Sequence, residues 1–271
     1  PGALERAAYE LAEDAWGENV RYLEVRYSPV LHSGGGMSLA EAVAAPLQGL
    51  TRAEDDFGIR TGLIICGIRS MEPSVSLRMA ETAVEFMDQG VVAFDLAGAE
   101  AGNPARDHKK AFQYAADHNL GITVHAGEAD GAGSIAQALH ECHARRLGHG
   151  TRLMEDPVLE AYVNDFRVPL EVCLTSNVQT RVVPSVADHP IRRYFDAGLV
   201  VTLSTDNRLF SATTLTDEYW LAHQELDFGL DELKEVSLLG FQSAFLPYEA
   251  KVNLLEEVEA ELEGIKGIQK D

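Results

Sequence analysis

The sequence predicts an α/β fold built on a parallel sheet. Short runs rich in Val, Ile and Leu recur along the chain, as in strands buried on both faces. Between them lie segments with helical start and stop signals, and regular alternation of strand and helix marks parallel βα units. Size agrees. The 271 residues, 46% hydrophobic, supply one sizeable core, and α/β barrels reach this length as a single domain.

The chain opens with a helical pattern over residues 3–17. Strands are expected at residues 20–26, 59–66, 91–95, 121–125, 146–148, 168–172 and 199–203. Ser38-Leu39-Ala40-Glu41 is a capping box for the next helix. Pro46 should kink or split that helix. Asn103-Pro104, Asp156-Pro157 and His189-Pro190 put proline at or near a first helical turn. Gly58, Gly90, Gly121 and Gly198 are expected to end four helices in the left-handed conformation. From about residue 215 the chain reads as helix, closing with an acidic amphipathic stretch over 254–264. Seven strands are counted where a closed barrel needs eight. The expectation is one domain over 1–271, lacking a first strand that belongs ahead of residue 1.

Charge excludes some partners. A net charge of −21 repels a phosphate backbone, so nucleic acid is not an expected ligand. No apolar run is long enough to span a bilayer, and no signal-peptide pattern occurs, so membrane association is not expected. Cys66, Cys142 and Cys173 are scattered, as buried thiols of a reducing compartment would be. A cytoplasmic protein is the expectation. Oligomeric state has no signature in the sequence.

Three segments carry chemistry. Thr123-Val124-His125-Ala126-Gly127-Glu128, Leu147-Gly148-His149-Gly150 and Ser204-Thr205-Asp206-Asn207 each follow a short apolar run. Loops at the C-terminal ends of parallel strands share one face, so these residues should converge there. Two imidazoles with two carboxylates suggest a metal-activated water. A neutral imidazole makes His125 a good zinc ligand. Glu128, three residues on, suits a general acid in a water-poor pocket. Glycines flank His149 and let the backbone turn sharply, so it could be a ligand or a base orienting water. Asp206 can coordinate a metal and accept a hydrogen bond, or can simply cap a helix. Asn207 offers a donor and an acceptor to a heterocycle edge. Gly98, after Phe94-Asp95-Leu96-Ala97, permits close backbone approach to a planar ligand, while Asp95 could be a polar layer residue within a barrel. His140 and His143 lack accompanying carboxylates and read as a solvated helix face. Gly34-Gly35-Gly36 lacks the Lys-Ser/Thr of a phosphate loop. Ser176 has no nucleophile elbow around it. No Cys-x-x-Cys occurs, which excludes the cysteine-ligated zinc deaminases.

These blocks, with residues 21–29 and Asp95-Leu96-Ala97-Gly98, resemble the adenosine deaminase family in order over nearly the whole chain, in its bacterial form. The resemblance implies a zinc-dependent (β/α)8 TIM barrel of the metal-dependent hydrolase type. It implies hydrolysis of the 6-amino group of adenosine or deoxyadenosine, giving inosine or deoxyinosine and ammonia in purine salvage. By that resemblance His125 and Asp206 are zinc ligands, and Glu128 protonates purine N1. His149 orients the attacking water and helps deprotonate it. Gly98 contacts the N3 side of the purine, and Asn207 stands where many members read N7 with an aspartate. The family also carries a His-x-His pair on its first strand, expected to supply two further ligands. No His-x-His occurs in this sequence. The chain alone is therefore expected to bind zinc poorly. Adenine, methylthioadenosine and aminodeoxyfutalosine deaminases share these blocks and are the alternative substrates. A catalytically inactive purine-binding or scaffold chain is the alternative of another class.

Overall fold

The structure is a computed structural model and describes residues 1–265. The described residues divide into two compact units, one over Pro1–Leu147 and one from Gly148 onward.

In the first unit, helix α1 (Gly2–Gly17) buries Ala8, Ala12 and Ala15. Small residues on that face let it pack closely on α2 (Leu39–Phe57). A Cβ on Gly49 of α2 would collide with the backbone carbonyl of Glu5, so only glycine fits there. The Ser38–Glu41 capping box starts α2 as expected, and Gly58 ends it with φ +76°. Pro46 does not split the helix: α2 runs unbroken through it. Its buried face (Ala42, Val43, Ala45, Leu47, Leu50 and Ala53) outweighs the one backbone bond that proline forfeits.

Strands β1 (Tyr22–Tyr27), β2 (Arg60–Ile68), β3 (Val91–Ala97) and β4 (Gly121–Ala126) pair in parallel, each with the next in the chain. The register sets Cys66 beside Asp95 and Phe94 beside Ile122. Leu63, Ile64, Ile65 and Phe94 are fully buried, and Phe94 meets Phe112 edge-on at 5.1 Å. Phe112 belongs to α4 (Lys109–Asp117), which follows α3 (Pro73–Glu85) and precedes α5 (Ala132–His140).

Gly121 does not end a helix. It opens β4, and the left-handed residue at this corner is Asn119, with φ +61°. Asparagine tolerates that conformation better than other side chains, so the turn needs no glycine. Gly90 closes a 3₁₀ turn over Met87–Gln89 rather than an α-helix. Strand β5 (Arg146–His149) begins in this unit, where the Arg145 N–H donates to the Ile122 carbonyl at 2.9 Å.

In the second unit, β6 (Leu170–Val172) and β7 (Val201–Leu203) pair in parallel and are wholly buried. Both are shorter than the apolar runs that predicted them. The helices are α6 (Pro157–Asp165), α7 (Leu174–Gln179), α8 (Ile191–Asp196), α9 (Arg208–Ser211), α10 (Leu215–Leu226), α11 (Leu230–Ser243) and α12 (Tyr248–Gly264). Pro157 sits in the first turn of α6, capped by the Asp156 carboxylate on the N–H groups of Val158 and Leu159. Gly198, with φ +81°, follows α8. The final helix starts at Tyr248, six residues before its amphipathic stretch, and buries Leu254 and Val258. Among the described residues no helix is long and apolar enough to cross a membrane.

Candidate active site at the strand ends

Each sequence-predicted residue stands at or just beyond the C-terminal end of its strand. His125 is next to last in β4, and Glu128 follows two residues after the strand. Gly98 comes directly after β3. His149 is the last residue of β5, and Asp206 and Asn207 follow β7.

In the first unit, His125 leans on Asp95. The Asp95 carboxylate is fully buried, with Oδ2 2.9 Å from His125 Nδ1. Arg26 Nη1 donates to the same oxygen at 3.3 Å, and the Cys66 thiol reaches it at 3.5 Å. Oδ1 accepts from the N–H groups of Leu96 at 2.6 Å and His125 at 3.3 Å. Burial alone would push this carboxyl up, but His125 and Arg26 outweigh it and hold it well below the usual carboxylate range. Ionised Asp95 only accepts, so His125 donates from Nδ1, and in its neutral form the ring carries its lone pair on Nε2. A carboxylate on one nitrogen with the lone pair on the other is the usual setting of a metal-ligating histidine. Arg69 fixes the backbone there by donating to the His125 carbonyl at 2.5 Å and the Asn103 carbonyl at 2.8 Å.

The loop bearing Glu128 is clamped by a residue that the sequence did not single out. Glu100 is 4% exposed. Its Oε1 accepts from Gly127 N–H at 2.7 Å; its Oε2 accepts from Glu128, Ala129 and Asp130 at 3.0, 2.6 and 2.9 Å. One carboxylate thus holds four successive amides and fixes the half-buried Glu128 at its Cα. Gly98 is exposed with φ +95°, a conformation that a Cβ would strain.

In the second unit, His149 is a non-glycine residue with φ +63°, 3% exposed. Such a conformation is costly, and it turns the imidazole out of the strand line. Its Nδ1 lies 3.1 Å from the Asn177 amide nitrogen, and Asn177 Oδ1 lies 3.1 Å from His189 Nε2. Asp206 is also left-handed, φ +55°, and its Oδ2 accepts from the Ser176 hydroxyl at 2.6 Å. Ser176 therefore has a partner in the site although no nucleophile motif surrounds it. Asn207 is the N-cap of α9, its Oδ1 accepting from Phe210 N–H at 3.0 Å. The amide nitrogen of Asn207 is the group that points a donor elsewhere.

The donor chemistry at His125 and Asp206 fits metal ligands. Among the described residues, however, no group of three or more His, Cys, Asp or Glu side chains is arranged to hold a metal ion. The residues present supply part of a ligand set. His140 ends α5, but His143 lies beyond the helix with φ +58° and pairs with Gln113 at 3.1 Å, so the two do not share the expected helix face. Gly35 and Gly36 form an open turn, with no atom within 4 Å of where a Cβ would stand.

The sequence model of a family described as adenosine deaminase matches residues 1–261. A probable adenosine deaminase of Dictyostelium discoideum is 38% identical over 94% of this chain, and the chain spans about a third (33%) of that relative's length. An adenosine deaminase of Mycobacterium avium is 40% identical over 95% of this chain and 75% of its own. Among solved structures, adenine deaminase of Arthrobacter aurescens is 30% identical, with a TM-score of 0.91 over 96% of this chain and 80% of that one. An amidohydrolase of Burkhoderia ambifaria with bound zinc is 25% identical, with a TM-score of 0.92 over 97% and 74%. The α/β class of these barrel deaminases, expected from the alternation of strands and helices, is borne out.

Proposed function

Because the chain belongs to the adenosine deaminase family, we propose that it carries out the hydrolytic deamination of adenosine or deoxyadenosine in the cytoplasm, with zinc as cofactor. Water adds at purine C6, the 6-amino group leaves as ammonia, and the product is inosine or deoxyinosine.

The observation that carries this reading is the pairing of His125 with the buried carboxylate of Asp95. It holds His125 in the tautomer that a metal needs. His125 and Asp206 are the residues of this chain assigned to the ion, and zinc, when bound, supplies a water acidified to a pKa of about 7. Glu128 delivers a proton to N1, which draws electrons from C6 and opens it to attack. The Glu100 clamp holds the backbone from which that carboxyl projects. His149 orients the attacking water. Asp206, held by Ser176, takes one carboxylate oxygen of the site out of rotation. The Gly98 backbone contacts the N3 side. The Asn207 amide nitrogen donates to the N7 lone pair, because its oxygen already caps α9. Buried cysteines, with no disulfide among the described residues, accord with a reducing compartment.

The second reading, an adenine-type substrate, is favoured by the likeness to the Arthrobacter enzyme. The test is ammonia release by the protein expressed from its complete gene, with adenosine, deoxyadenosine and adenine compared and the products identified as inosine, deoxyinosine or hypoxanthine. Turnover of adenine alone would select the second reading. Turnover of no aminopurine by a zinc-loaded protein would refute both.

A further inference from the structure

We infer that Asn177 and His189 are positioning residues that lock His149 in the Nε2–H tautomer, so that His149 serves the reaction as a hydrogen-bond donor. The inference rests on the proposed function only in naming His149 as a site residue.

The sense of the whole chain is set at its far end by a backbone group. Ile191 N–H donates to His189 Nδ1 at 3.1 Å. A peptide N–H has no alternative sense, so His189 Nδ1 is an acceptor and its proton sits on Nε2. That proton faces Asn177 Oδ1 at 3.1 Å. The Thr151 hydroxyl is 3.3 Å from the same oxygen. Asn177 must therefore present its oxygen to His189 and its NH2 to His149. The amide then donates to His149 Nδ1 at 3.1 Å. Nδ1 of His149 is an acceptor, and the neutral ring carries its proton on Nε2.

The alternatives fail on the same geometry. Turning the Asn177 amide over would set its NH2 against His189 Nε2–H, two donors facing each other in a buried site. Asn177 is fully buried and His189 is 3% exposed, so water does not relieve the clash. A doubly protonated His189 would clash with Ile191 N–H, and burial pushes its pKa down to about 3 in any case. A proton on His149 Nδ1 would oppose the Asn177 amide. His149 thus lacks the lone pair on Nε2 that a general base would use, and orienting a water oxygen by donation is the work its ring can do.

The two strand-end histidines are consequently set in opposite tautomers. A carboxylate puts the proton of His125 on Nδ1, and an amide keeps the proton of His149 off it.

The test reads the tautomer directly. Protein labelled with ¹⁵N-histidine is studied by long-range ¹H–¹⁵N correlation near neutral pH, with His149→Gln identifying the ring. The expected spectrum has His149 protonated at Nε2 and unprotonated at Nδ1; the reverse pattern overturns the proposal. Asn177→Asp replaces the donor with an acceptor of equal size, and should move the proton to Nδ1. Turnover should then fall about 10²-fold, with KM changed less, as for loss of one oriented donor. An unchanged tautomer in a folded Asn177→Asp protein removes Asn177 from the role. If that variant does not fold, the wild-type spectrum still decides. An active wild type with the proton on Nδ1 refutes this proposal alone. An inactive wild type with the proton on Nε2 supports it, and refutes the deaminase reading instead.

Discussion

Glu100→Gln isolates how the Glu128 loop is held. The side chain keeps its size and loses one acceptor and its charge. In the native loop Oε2 accepts from three amides and Oε1 from one. Glutamine does best by pointing its oxygen at the three. Each of those bonds then drops from a charge-assisted to a neutral one, a loss of about 1 kcal/mol apiece. The remaining amide, Gly127 N–H, faces an NH2 group and is left unsatisfied, at about 1–3 kcal/mol. Together the loop should open more easily by about 4–6 kcal/mol, or roughly 10³–10⁴-fold at 1.4 kcal/mol per decade. Amide hydrogen exchange resolved to Gly127, Glu128, Ala129 and Asp130 measures it. Protection should fall together at all four, while β2 amides such as that of Ile64 hold theirs. A change below threefold at these four positions would refute the clamp. The same variant should lose turnover while keeping Glu128 itself.

Other outcomes follow from the same geometry. Glu128→Gln should keep zinc and lose ~10²–10⁴-fold in turnover, because an amide cannot deliver a proton to N1; near-normal turnover of a zinc-loaded variant would remove Glu128 from that role. Asn207→Ala removes the donor together with the α9 cap, so it should abolish any preference for adenosine over 7-deazaadenosine, read as a ratio of kcat/KM. Ser176→Ala should weaken zinc about 10–100-fold by releasing Asp206, measured by competition with a chelator; unchanged affinity would make Ser176 irrelevant to the ion. His189 has a folded pKa depressed from 6.5 to about 3, so its contribution to stability is fully present above about pH 6.5 and is lost as pH falls toward 3. The loss is about 2 kcal/mol by pH 5. His189→Gln should flatten urea-denaturation stability over that window, and an unaltered pH dependence would contradict a neutral buried ring.

The seven strands were legible because apolar β-runs buried on both faces need no partner information to be seen. Val91–Ala97 and Gly121–Ala126 coincide with their predicted runs to within two residues. Corners were less legible. At the turn into β4 a glycine was expected to take the left-handed position, and Asn119 takes it instead. Pro46 misled in the other direction, since local propensity counts the lost bond and not the face it helps to bury. The site residues that stand in motifs were readable. Those that hold them were not: Asp95 is 30 positions from His125, Glu100 27 from Gly127, Ser176 30 from Asp206 and Asn177 28 from His149. No spacing rule spans a helix and a strand, and only the parallel register brings such pairs side by side. Glu100 left a faint signal, a carboxylate two residues past the Gly98 turn.

The contact between Ile191 N–H and His189 has a bearing on how such sites drift over time. The information that orients His149 enters from the peptide backbone, which almost every substitution at position 191 leaves intact. An alignment of relatives would therefore show at this position only the packing of a buried side chain, and nothing of the proton's location that depends on its backbone. Two homologues could differ in what their strand-end histidine offers the substrate while agreeing at every side chain that touches it, if one of them shifted the start of α8 by a single residue. Insertions ahead of this helix, more than point changes inside it, are where the chemistry of the site would be rewritten.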